Sequence, residues 1–242
     1  MRIDVYLSES GILSSRTEAK RYISEGAVFL GNNVITKPSF DISGREDELR
    51  VDKSVFKYVS RGGIKLEGAL SAFCIDCSDK LCIDIGASSG GFTDCLLQNG
   101  AAHVIAVDSG AGQLVDKIRN DSRVTVIENY NARYMRPLDF SYIPTLAVMD
   151  VSFISATYII EPLAASVMPG ADFICLIKPQ FEVGRSGVGK GGIVKDRRLR
   201  EDAVKKVVDF ALSCGFNNCG IIESPIKGGD GNTEFFAHFK RR

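Results

Sequence analysis

The amino-acid sequence predicts an α/β protein in which a Rossmann-like, mostly parallel sheet follows a small α+β domain. From about Ser60 onward, short continuous apolar runs alternate with helical segments. Strands of this kind are covered by helices on both faces, as parallel sheets require. The residues before Ser60 instead contain a helix-start signal and a strand–turn–strand pattern. We therefore expect a small domain with its linker over residues 1–59 and a larger domain over residues 60–242.

The small domain is predicted from its helix and hairpin signals. The capping box "SRTE" at residues 15–18 starts a helix, and Gly26 supplies its stop. The segments "AVFL", "GNN" and "VIT" then predict a hairpin, and the polar stretch "DISGREDELRVDKS" is expected to be a boundary. Arg16 and Lys20 lie one helical turn apart, so that helix presents a basic face suited to RNA phosphates. Residues 1–60 hold nine basic and nine acidic side chains, so charge alone does not establish RNA binding.

The large domain is predicted as strands separated by helices. Five parallel strands are expected at "LCIDIG", "HVIAVD", "VTVIEN", "TLAVMDV" and "FICLIKP", with "CGIIES" and "EFFAHFK" as a closing pair. Helices are expected at "FTDCLLQNG", at "GQLVDKIRN" and in the apolar segment that ends near Ala165. The basic stretch Lys178–Arg200 contains seven Lys or Arg residues and suits phosphates, although such a run is more often a solvated face.

Composition excludes several classes of protein. The formal net charge is zero, so overall charge indicates no partner. No apolar run approaches the roughly 18 residues that span a bilayer, and the N-terminus lacks the apolar core of a signal peptide. We therefore expect a cytoplasmic protein with no membrane partner. The seven cysteines are expected as free thiols, and with only two histidines no metal site is expected.

The glycine-rich stretch Ile83–Thr93, "IDIGASSGGFT", follows the first strand of the large domain and has several alternatives. Its glycine order breaks the dinucleotide pattern G-x-G-x-x-G. It contains G-x-S-x-G with Ser88 in the position of a hydrolase nucleophile, but that elbow normally follows several strands. A second glycine stretch, "GRSGVGKG" at residues 184–191, lacks the hydroxyl residue of a phosphate-binding P-loop. The remaining interpretation is a class I methyltransferase turn that approaches S-adenosylmethionine.

Two acidic residues favour this methyl-donor interpretation. Asp84 and Gly86 lie where the first strand meets the glycine turn. Asp108 ends the next strand, 22 residues after Gly86, where an acidic residue binds ribose hydroxyls by the logic of dinucleotide folds. A glycine turn alone would indicate a tight bend, whereas the turn together with Asp108 predicts a site for S-adenosylmethionine.

Four charged residues stand at strand ends or in flanking loops of the large domain. Asp150 closes "TLAVMD", Lys178 closes "FICLIK", Glu234 begins "EFFAHF", and Lys65 precedes the first strand. Each could be a surface charge or a salt-bridge partner if taken singly. In order and spacing they resemble the K-D-K-E tetrad of ribose 2′-O-methyltransferases of the FtsJ type.

The surrounding words resemble more particularly the TlyA family, over essentially the whole chain. Those words include "YVSRGGIKLEGAL", "DIGASSGGFTDCLLQNGA", "DVSFIS", "KPQFE" and "GGIVKD". Proteins of this family join an S4 RNA-binding domain to an FtsJ-like methyltransferase domain. One departure is Ala111 in "VDSGAGQL", where the family often has a tyrosine, which puts any stacking role there in doubt.

The resemblance implies a function and a set of residues. The function is methylation of a cytidine ribose 2′-hydroxyl in 23S ribosomal RNA, and in some members also in 16S RNA, with ribosomal RNA or ribosomal subunits as partner. Lys178 is expected as the general base in a catalytic set of Lys65, Asp150, Lys178 and Glu234. Cofactor contacts are expected from Asp84, Gly86, Ala87, Ser88, Gly90, Gly91, Phe92, Asp108, Asn131 and Asp150. RNA phosphate contacts are expected from Arg2, Arg16, Lys20, Lys37, Arg61 and Arg133.

Two other functional classes remain as alternatives. Some members of the family carry the name hemolysin, but a membrane-active protein needs an amphipathic or membrane-inserting segment, and the sequence contains none that is recognisable. A non-catalytic ribosome-assembly factor could keep the same fold. The complete tetrad favours the enzyme.

Overall fold

The computed structural model describes residues 1–13, 15–52, 57–228 and 231–242, apart from the side chain of Arg185. The chain divides into two compact units, Met1–Lys57 and Tyr58–Arg242. Each unit has its own hydrophobic core, and each is described here by itself.

The first unit packs two helices against a small antiparallel sheet. Its elements are α1 (Ile3–Glu9), α2 (Arg16–Ser24), β1 (Val28–Leu30), β2 (Asn33–Val34) and β3 (Leu49–Val51), with strand order β2-β1-β3. The predicted start of α2 is confirmed, because the Ser15 hydroxyl accepts a hydrogen bond from the Glu18 N–H at 3.1 Å. The stretch expected as a boundary contributes β3, which pairs with β1 because Leu49 and Val51 pack against the core.

The second unit is a seven-stranded sheet with helices on both faces. Its elements are α3 (Arg61–Ala72), β4 (Leu81–Ile85), α4 (Gly91–Gln98), β5 (His103–Val107), α5 (Asp116–Arg119), β6 (Val124–Ile127), β7 (Leu146–Met149), α6 (Thr157–Ser166), β8 (Asp172–Ile177), α7 (Arg197–Ser213), β9 (Phe216–Glu223) and β10 (Phe235–Arg241). The strand order is β6-β5-β4-β7-β8-β10-β9, parallel as far as β8 and antiparallel beyond it. The predicted α/β class, the five parallel strands and the closing pair are confirmed.

Strand order reverses between β4 and β7, so the connections leave the sheet in opposite directions on the two sides of this point. In open α/β sheets a crevice forms there, beyond the carboxyl ends of the strands. The two apolar clusters on the sheet faces bury β4, β5, β7 and β8 completely or almost so, which keeps these strand ends in fixed register.

Helix α7 was not predicted from the sequence. Its first residues belong to the basic stretch that was compared with a solvated face, but the helix also has a buried stripe with helical spacing, formed by Ala203, Val204, Val207, Val208 and Ala211. The charged residues at the helix start obscured this stripe. Among the described residues, every helix is too short or too polar to span a bilayer. All seven cysteines are free thiols, as predicted.

Candidate active site

A cavity of about 610 Å³ opens at the carboxyl ends of β4, β5 and β7, where the strand order reverses. Its volume is in the range of sites for small molecules. Five of the residues predicted to contact the cofactor line it: Gly86, Ser88, Asp108, Asn131 and Asp150. Apolar side chains from Ile85, Val107, Ile154 and Ile159 complete much of the wall.

Gly86 sits at the closest approach of two strands in this cavity. Its φ is +87°, and a Cβ atom at this position would lie 2.3 Å from the carbonyl oxygen of Asp150. The Asp150 N–H donates to the Ile85 carbonyl at 2.9 Å, which fixes the end of β7 against the end of β4. Only glycine therefore permits both the turn and the packing of the two strand ends.

The other residues predicted to contact the cofactor lie behind the loop and do not line the cavity. Asp84 is fully buried and accepts a hydrogen bond from the Thr93 hydroxyl at 2.6 Å, which ties β4 to α4. Burial raises the pKa of the Asp84 carboxyl to about 7, with the charges of Asp150 and Asp108 acting in the same direction. The remaining members are buried residues of the loop or of the first turn of α4: Ala87, Gly90, Gly91 and Phe92.

Asp108 connects the glycine loop to the loop after β5. Its two carboxylate oxygens accept the Ser88 N–H at 2.8 Å and the Gly110 N–H at 2.7 Å. A carboxylate has about four acceptor positions, so Asp108 can also accept hydrogen bonds from two ligand hydroxyls in the cavity. The acidic group and the glycine turn together fit the ribose and the amino-acid end of S-adenosylmethionine.

The structure gives Ser88 no hydrolase machinery. Its hydroxyl donates to the Gln113 side chain at 3.2 Å. His238 instead contacts Asp172 at 3.0 Å, and Asp172 begins β8, at the opposite edge of the sheet from the cavity. Within the part of the chain that the structure describes, these bonds assemble no Ser-His-Asp triad at Ser88, and the hydrolase alternative fails on geometry.

The predicted catalytic residues form two lysine–carboxylate pairs. The Lys178 Nζ lies 2.5 Å from Asp150 Oδ1, and it also donates to the Ser152 hydroxyl at 2.8 Å. The Lys65 Nζ lies 2.5 Å from Glu234 Oε2, and both of these side chains are buried. Asp150 lines the cavity, so the Lys178 amine is held beside it.

Strand register brings the two pairs to the same edge of the sheet. The antiparallel ladder of β8 and β10 ends with the pair Phe235 and Ile177. Glu234 and Lys178 are the next residues along the two chains, so they lie opposite each other just beyond the ladder. Met149 pairs with Ile85 in the parallel ladder, so Asp150 ends β7 beside the glycine turn. Lys65 reaches Glu234 from helix α3. Four residues that are distant in sequence therefore lie near one edge of the sheet, where the parallel strands β7 and β8 end.

Phe153 is a candidate functional residue that was not among the predicted site residues. It lines the cavity but is 92% exposed, and its φ of +65° is rare for a residue with a large side chain. Its ring centroid lies 5.2 Å from that of Phe181, which follows Lys178. Strain of this kind together with exposure of an aromatic ring is typical of a functional position. The signal in the sequence was the word "DVSFIS", where the phenylalanine follows Asp150 by three residues.

Glu182 fixes the loop that carries Phe153. Its buried carboxylate accepts the Ser155 hydroxyl at 2.6 Å, the Ala156 N–H at 2.8 Å and the Lys206 ammonium at 2.9 Å. These bonds join the segment after β7, the segment after β8 and helix α7. A charged donor and two neutral donors on one buried carboxylate make a rigid junction.

Asn232 also joins two segments near the site, the loop after β8 and the segment before β10. Its buried side chain accepts the Val194 N–H at 2.9 Å and donates to the Gly192 carbonyl at 2.9 Å. The glycine loop after β8 is thereby tied to the segment that carries Glu234. The sequence alone predicted no role for Asn232, and its contacts are seen only in the structure.

The residues predicted to contact RNA lie in both units. In the first unit Lys20 and Lys37 are exposed, and Arg2 and Arg16 are about half exposed and paired with the buried Asp4. In the second unit Arg61 is the first residue of α3, and Arg133 lines the cavity. The Arg133 N–H donates to the Asn131 side chain at 3.2 Å, so these two residues form one structural element of the cavity wall.

The fold and the cavity define the class of S-adenosylmethionine-dependent methyltransferases. A solved S-adenosylmethionine-dependent methyltransferase from Mesorhizobium loti has the same fold, with a TM-score of 0.54 at 13% identity over 73% of this chain and 98% of the other. A family model described as FtsJ-like methyltransferase matches residues 58–241, and an S4 domain model matches residues 1–49.

Relatives over almost the whole length identify the family more narrowly. YqxC of Bacillus subtilis (strain 168), provisionally named an rRNA methyltransferase, is 48% identical over 98% of this chain and 84% of its own length. The 16S/23S rRNA (cytidine-2′-O)-methyltransferase TlyA of Mycobacterium tuberculosis is 42% identical over 97% of this chain and 88% of its own length. A solved structure from Streptococcus thermophilus, provisionally called a hemolysin, has a TM-score of 0.79 at 44% identity, and the match covers 100% of this chain and 88% of the other. The chain belongs to the TlyA family of FtsJ-like methyltransferases with an S4 domain, as its sequence predicted.

Proposed function

We propose that this enzyme methylates the ribose 2′-hydroxyl of a cytidine in ribosomal RNA, with S-adenosylmethionine as donor and with either 23S RNA alone or both 23S and 16S RNA as substrate. The observation that carries the proposal is the Asp150–Lys178 pair beside the cavity, with the Lys65–Glu234 pair at the next strand end. The name of the M. tuberculosis relative, which specifies cytidine-2′-O-methylation of both RNAs, supports the same substrate.

The donor supplies a methyl group on a positively charged sulfur when it is bound. Gly86, Ser88 and Asp108 would hold it, because they line the cavity and Asp108 retains acceptor capacity for ribose hydroxyls. Asp150 adds a negative charge at the cavity wall. Ala111 offers no aromatic ring, so donor binding in this chain depends on the polar contacts and on the apolar wall.

Lys178 would act as the general base. A ribose hydroxyl is a weak nucleophile, so its proton must leave as the oxygen–methyl bond forms and the methyl–sulfur bond breaks. To accept that proton, the ammonium group of Lys178 must first release one of its own protons to solvent. Asp150 and Ser152 hold the Nζ in place at 2.5 and 2.8 Å, which supplies the fixed geometry that such a transfer requires.

Lys65 and Glu234 would position the acceptor nucleotide. Glu234 immediately precedes β10 and lies opposite Lys178, just beyond the last pair of the β8–β10 ladder. The exposed ring of Phe153 would support the base of that nucleotide, since unstacked bases are commonly held on aromatic side chains.

RNA binding would be shared by the two predicted domains, residues 1–59 and 60–242. Arg2, Arg16, Lys20 and Lys37 of the first and Arg61 and Arg133 of the second would contact phosphates, which position an enzyme on RNA without reading its sequence. A ribosomal substrate places the enzyme in the cytoplasm.

The decisive experiment incubates the protein with methyl-labelled S-adenosylmethionine and unmodified 16S RNA, 23S RNA, small subunits or large subunits, and then maps any modified ribose. We expect label on a cytidine ribose of 23S RNA or of the large subunit. Label on no substrate would favour the assembly-factor alternative. Label on 16S RNA alone would overturn the large-subunit assignment. Lysis of lipid vesicles without methyl transfer would favour the membrane-active alternative.

A further inference from the structure

We propose that Asp4 is a positioning residue that holds Arg2 and Arg16 together as a clamp for one RNA phosphate. The inference deepens the proposed function, on whose RNA substrate it rests. It assigns a role to a carboxylate in a domain that is otherwise expected to bind RNA through its positive charges.

The geometry joins three residues of the first unit. Asp4 lies in α1 and is fully buried. Its carboxylate accepts the Arg2 Nε–H at 3.0 Å and an Arg2 Nη2–H at 3.2 Å, which is a bidentate contact. An Arg16 Nη2–H, from the first turn of α2, donates to the same carboxylate at 2.9 Å. One carboxylate therefore sets the direction of two arginine side chains from two different segments.

Because Asp4 is buried, its carboxylate depends on the two arginines for charged hydrogen-bond donors. A buried carboxylate is costly unless charged donors satisfy it. Burial alone would raise the pKa of Asp4, but the hydrogen bonds and charges of Arg2 and Arg16 bring that pKa below its ordinary value. Asp4 is thus ionised at neutral pH and holds both guanidinium groups in place.

The outer parts of both arginines remain available to a ligand. The side chains of Arg2 and Arg16 are 51% and 52% exposed, whereas that of Asp4 is not exposed at all. Each guanidinium has five N–H donors, and the bonds to Asp4 use two on Arg2 and one on Arg16. Two positive charges against one negative charge leave a net charge of +1. Two planar donor groups held at fixed positions suit the oxygens of a phosphate group.

The Asp4→Asn variant distinguishes a positioning role from simple charge neutralisation, because the two roles predict opposite changes in RNA affinity. If Asp4 only neutralises the arginines, Asp4→Asn removes a negative charge and should strengthen RNA binding. If Asp4 positions them, the same variant should weaken binding although the protein becomes more positive. Asp47→Asn is the matched control, because Asp47 is exposed and lies in the same unit.

The experiment measures binding of the full chain to transcribed 23S RNA over a series of salt concentrations, without cofactor. We expect Asp4→Asn to raise the Kd by about tenfold, the size of one lost charge-assisted contact. The slope of log K against log salt should fall in magnitude by about one. Asp47→Asn should leave the Kd unchanged or lower it. Equal or tighter binding by a folded Asp4→Asn variant would overturn the proposal.

A second variant decides the matter if Asp4→Asn does not fold, as circular dichroism would reveal. Arg16→Lys keeps the positive charge but loses the planar guanidinium group. The clamp therefore predicts weaker RNA binding by this variant, whereas an effect of charge alone predicts unchanged binding. Arg45→Lys is the matched control and should bind normally, since Arg45 is exposed, lies in the same unit and pairs with Glu48. Unchanged binding by Arg16→Lys would then overturn the clamp. Wild-type protein that binds RNA but methylates none would instead overturn the proposed function, so the two failures are distinguishable.

Discussion

Glu234 and Lys178 lie opposite each other just beyond the last pair of the β8–β10 ladder, yet each forms its ion pair with a different residue. Lys178 pairs with Asp150 of the neighbouring strand β7, and Glu234 pairs with Lys65 of helix α3. The four residues are therefore two neighbouring pairs, one lining the donor cavity through Asp150 and one more deeply buried. This division suggests that removing a member of each pair will have different consequences.

Removal of the Lys178 amine should abolish proton transfer and leave the donor site intact. We expect Lys178→Ala to lower kcat by about 10²- to 10⁴-fold, the usual contribution of a general base. Single-turnover methylation of 23S RNA measures the rate, and calorimetry measures S-adenosylmethionine affinity. Lys205→Ala is the control, since Lys205 lies on the exposed face of α7 in a pair with Asp209. A Lys178→Ala rate close to that of wild type would rule out Lys178 as the base.

Removal of one member of the Lys65–Glu234 pair should destabilise the fold. Both side chains are buried, so Lys65→Met or Glu234→Gln alone leaves a partner without compensation. We expect each single variant to lose roughly 3–5 kcal/mol in the free energy of unfolding. The double variant should recover much of this loss and remain inactive. Urea unfolding in a double-mutant cycle measures the coupling, and additive losses would contradict a buried pair.

Asp84 should make the stability of the second unit depend on pH. Its pKa is raised to about 7 by burial, so the folded state binds a proton more tightly than the unfolded state does. The stabilisation is therefore complete below the unfolded pKa near 4 and is lost as the pH rises to 7. We expect a fall of up to roughly 4 kcal/mol, since a tenfold change in proton affinity corresponds to about 1.4 kcal/mol.

The Asp84→Asn variant tests this origin. Asparagine keeps an acceptor for the Thr93 hydroxyl and cannot ionise. Urea unfolding at pH 5, 6, 7 and 8 should give a flatter profile than the wild type. If both proteins lose stability equally over this range, another group is responsible.

Phe153 should contribute to the methylation of RNA but little to the stability of the fold. Its side chain is 92% exposed, so Phe153→Ala removes little packing. We expect a fall of about tenfold or more in kcat/KM for 23S RNA, since stacking of one base contributes roughly 1–3 kcal/mol. Phe153→Gly should lose the same activity and gain up to about 1 kcal/mol of stability, because φ of +65° is unstrained for glycine. Normal kcat/KM in both variants would exclude a stacking role.

The strands, and the strand ends where the candidate catalytic residues lie, could be predicted from the sequence because both are local signals. Apolar runs ending in Asp84-Ile85, Asp108, Asp150 and Lys178 mark the ends of parallel strands, and parallel strand ends meet at one edge of the sheet. Helix α7 was missed because charged residues at its start concealed the apolar stripe from Ala203 onward.

The partners of individual side chains could not be predicted from the sequence. Asp84 lies inside β4 and is sealed against Thr93, whereas Asp108 follows the last residue of β5 and faces the cavity. The roles of Glu182 and Asn232 depend on hydrogen bonds to residues 26 and 38 positions away. Such contacts are set by the packing of whole elements, which no local pattern encodes.

The contact between Gly86 and the Asp150 carbonyl links the shape of the cavity to the position of Lys178. Any side chain at position 86 would displace the end of β7, and with it the carboxylate that holds Lys178. A change that reshapes the cavity at this point therefore also moves the amine proposed as the general base. Engineering this enzyme for a bulkier alkyl donor would have to enlarge the cavity elsewhere, from the side of Gln113 or Ile159, where the wall does not support the base.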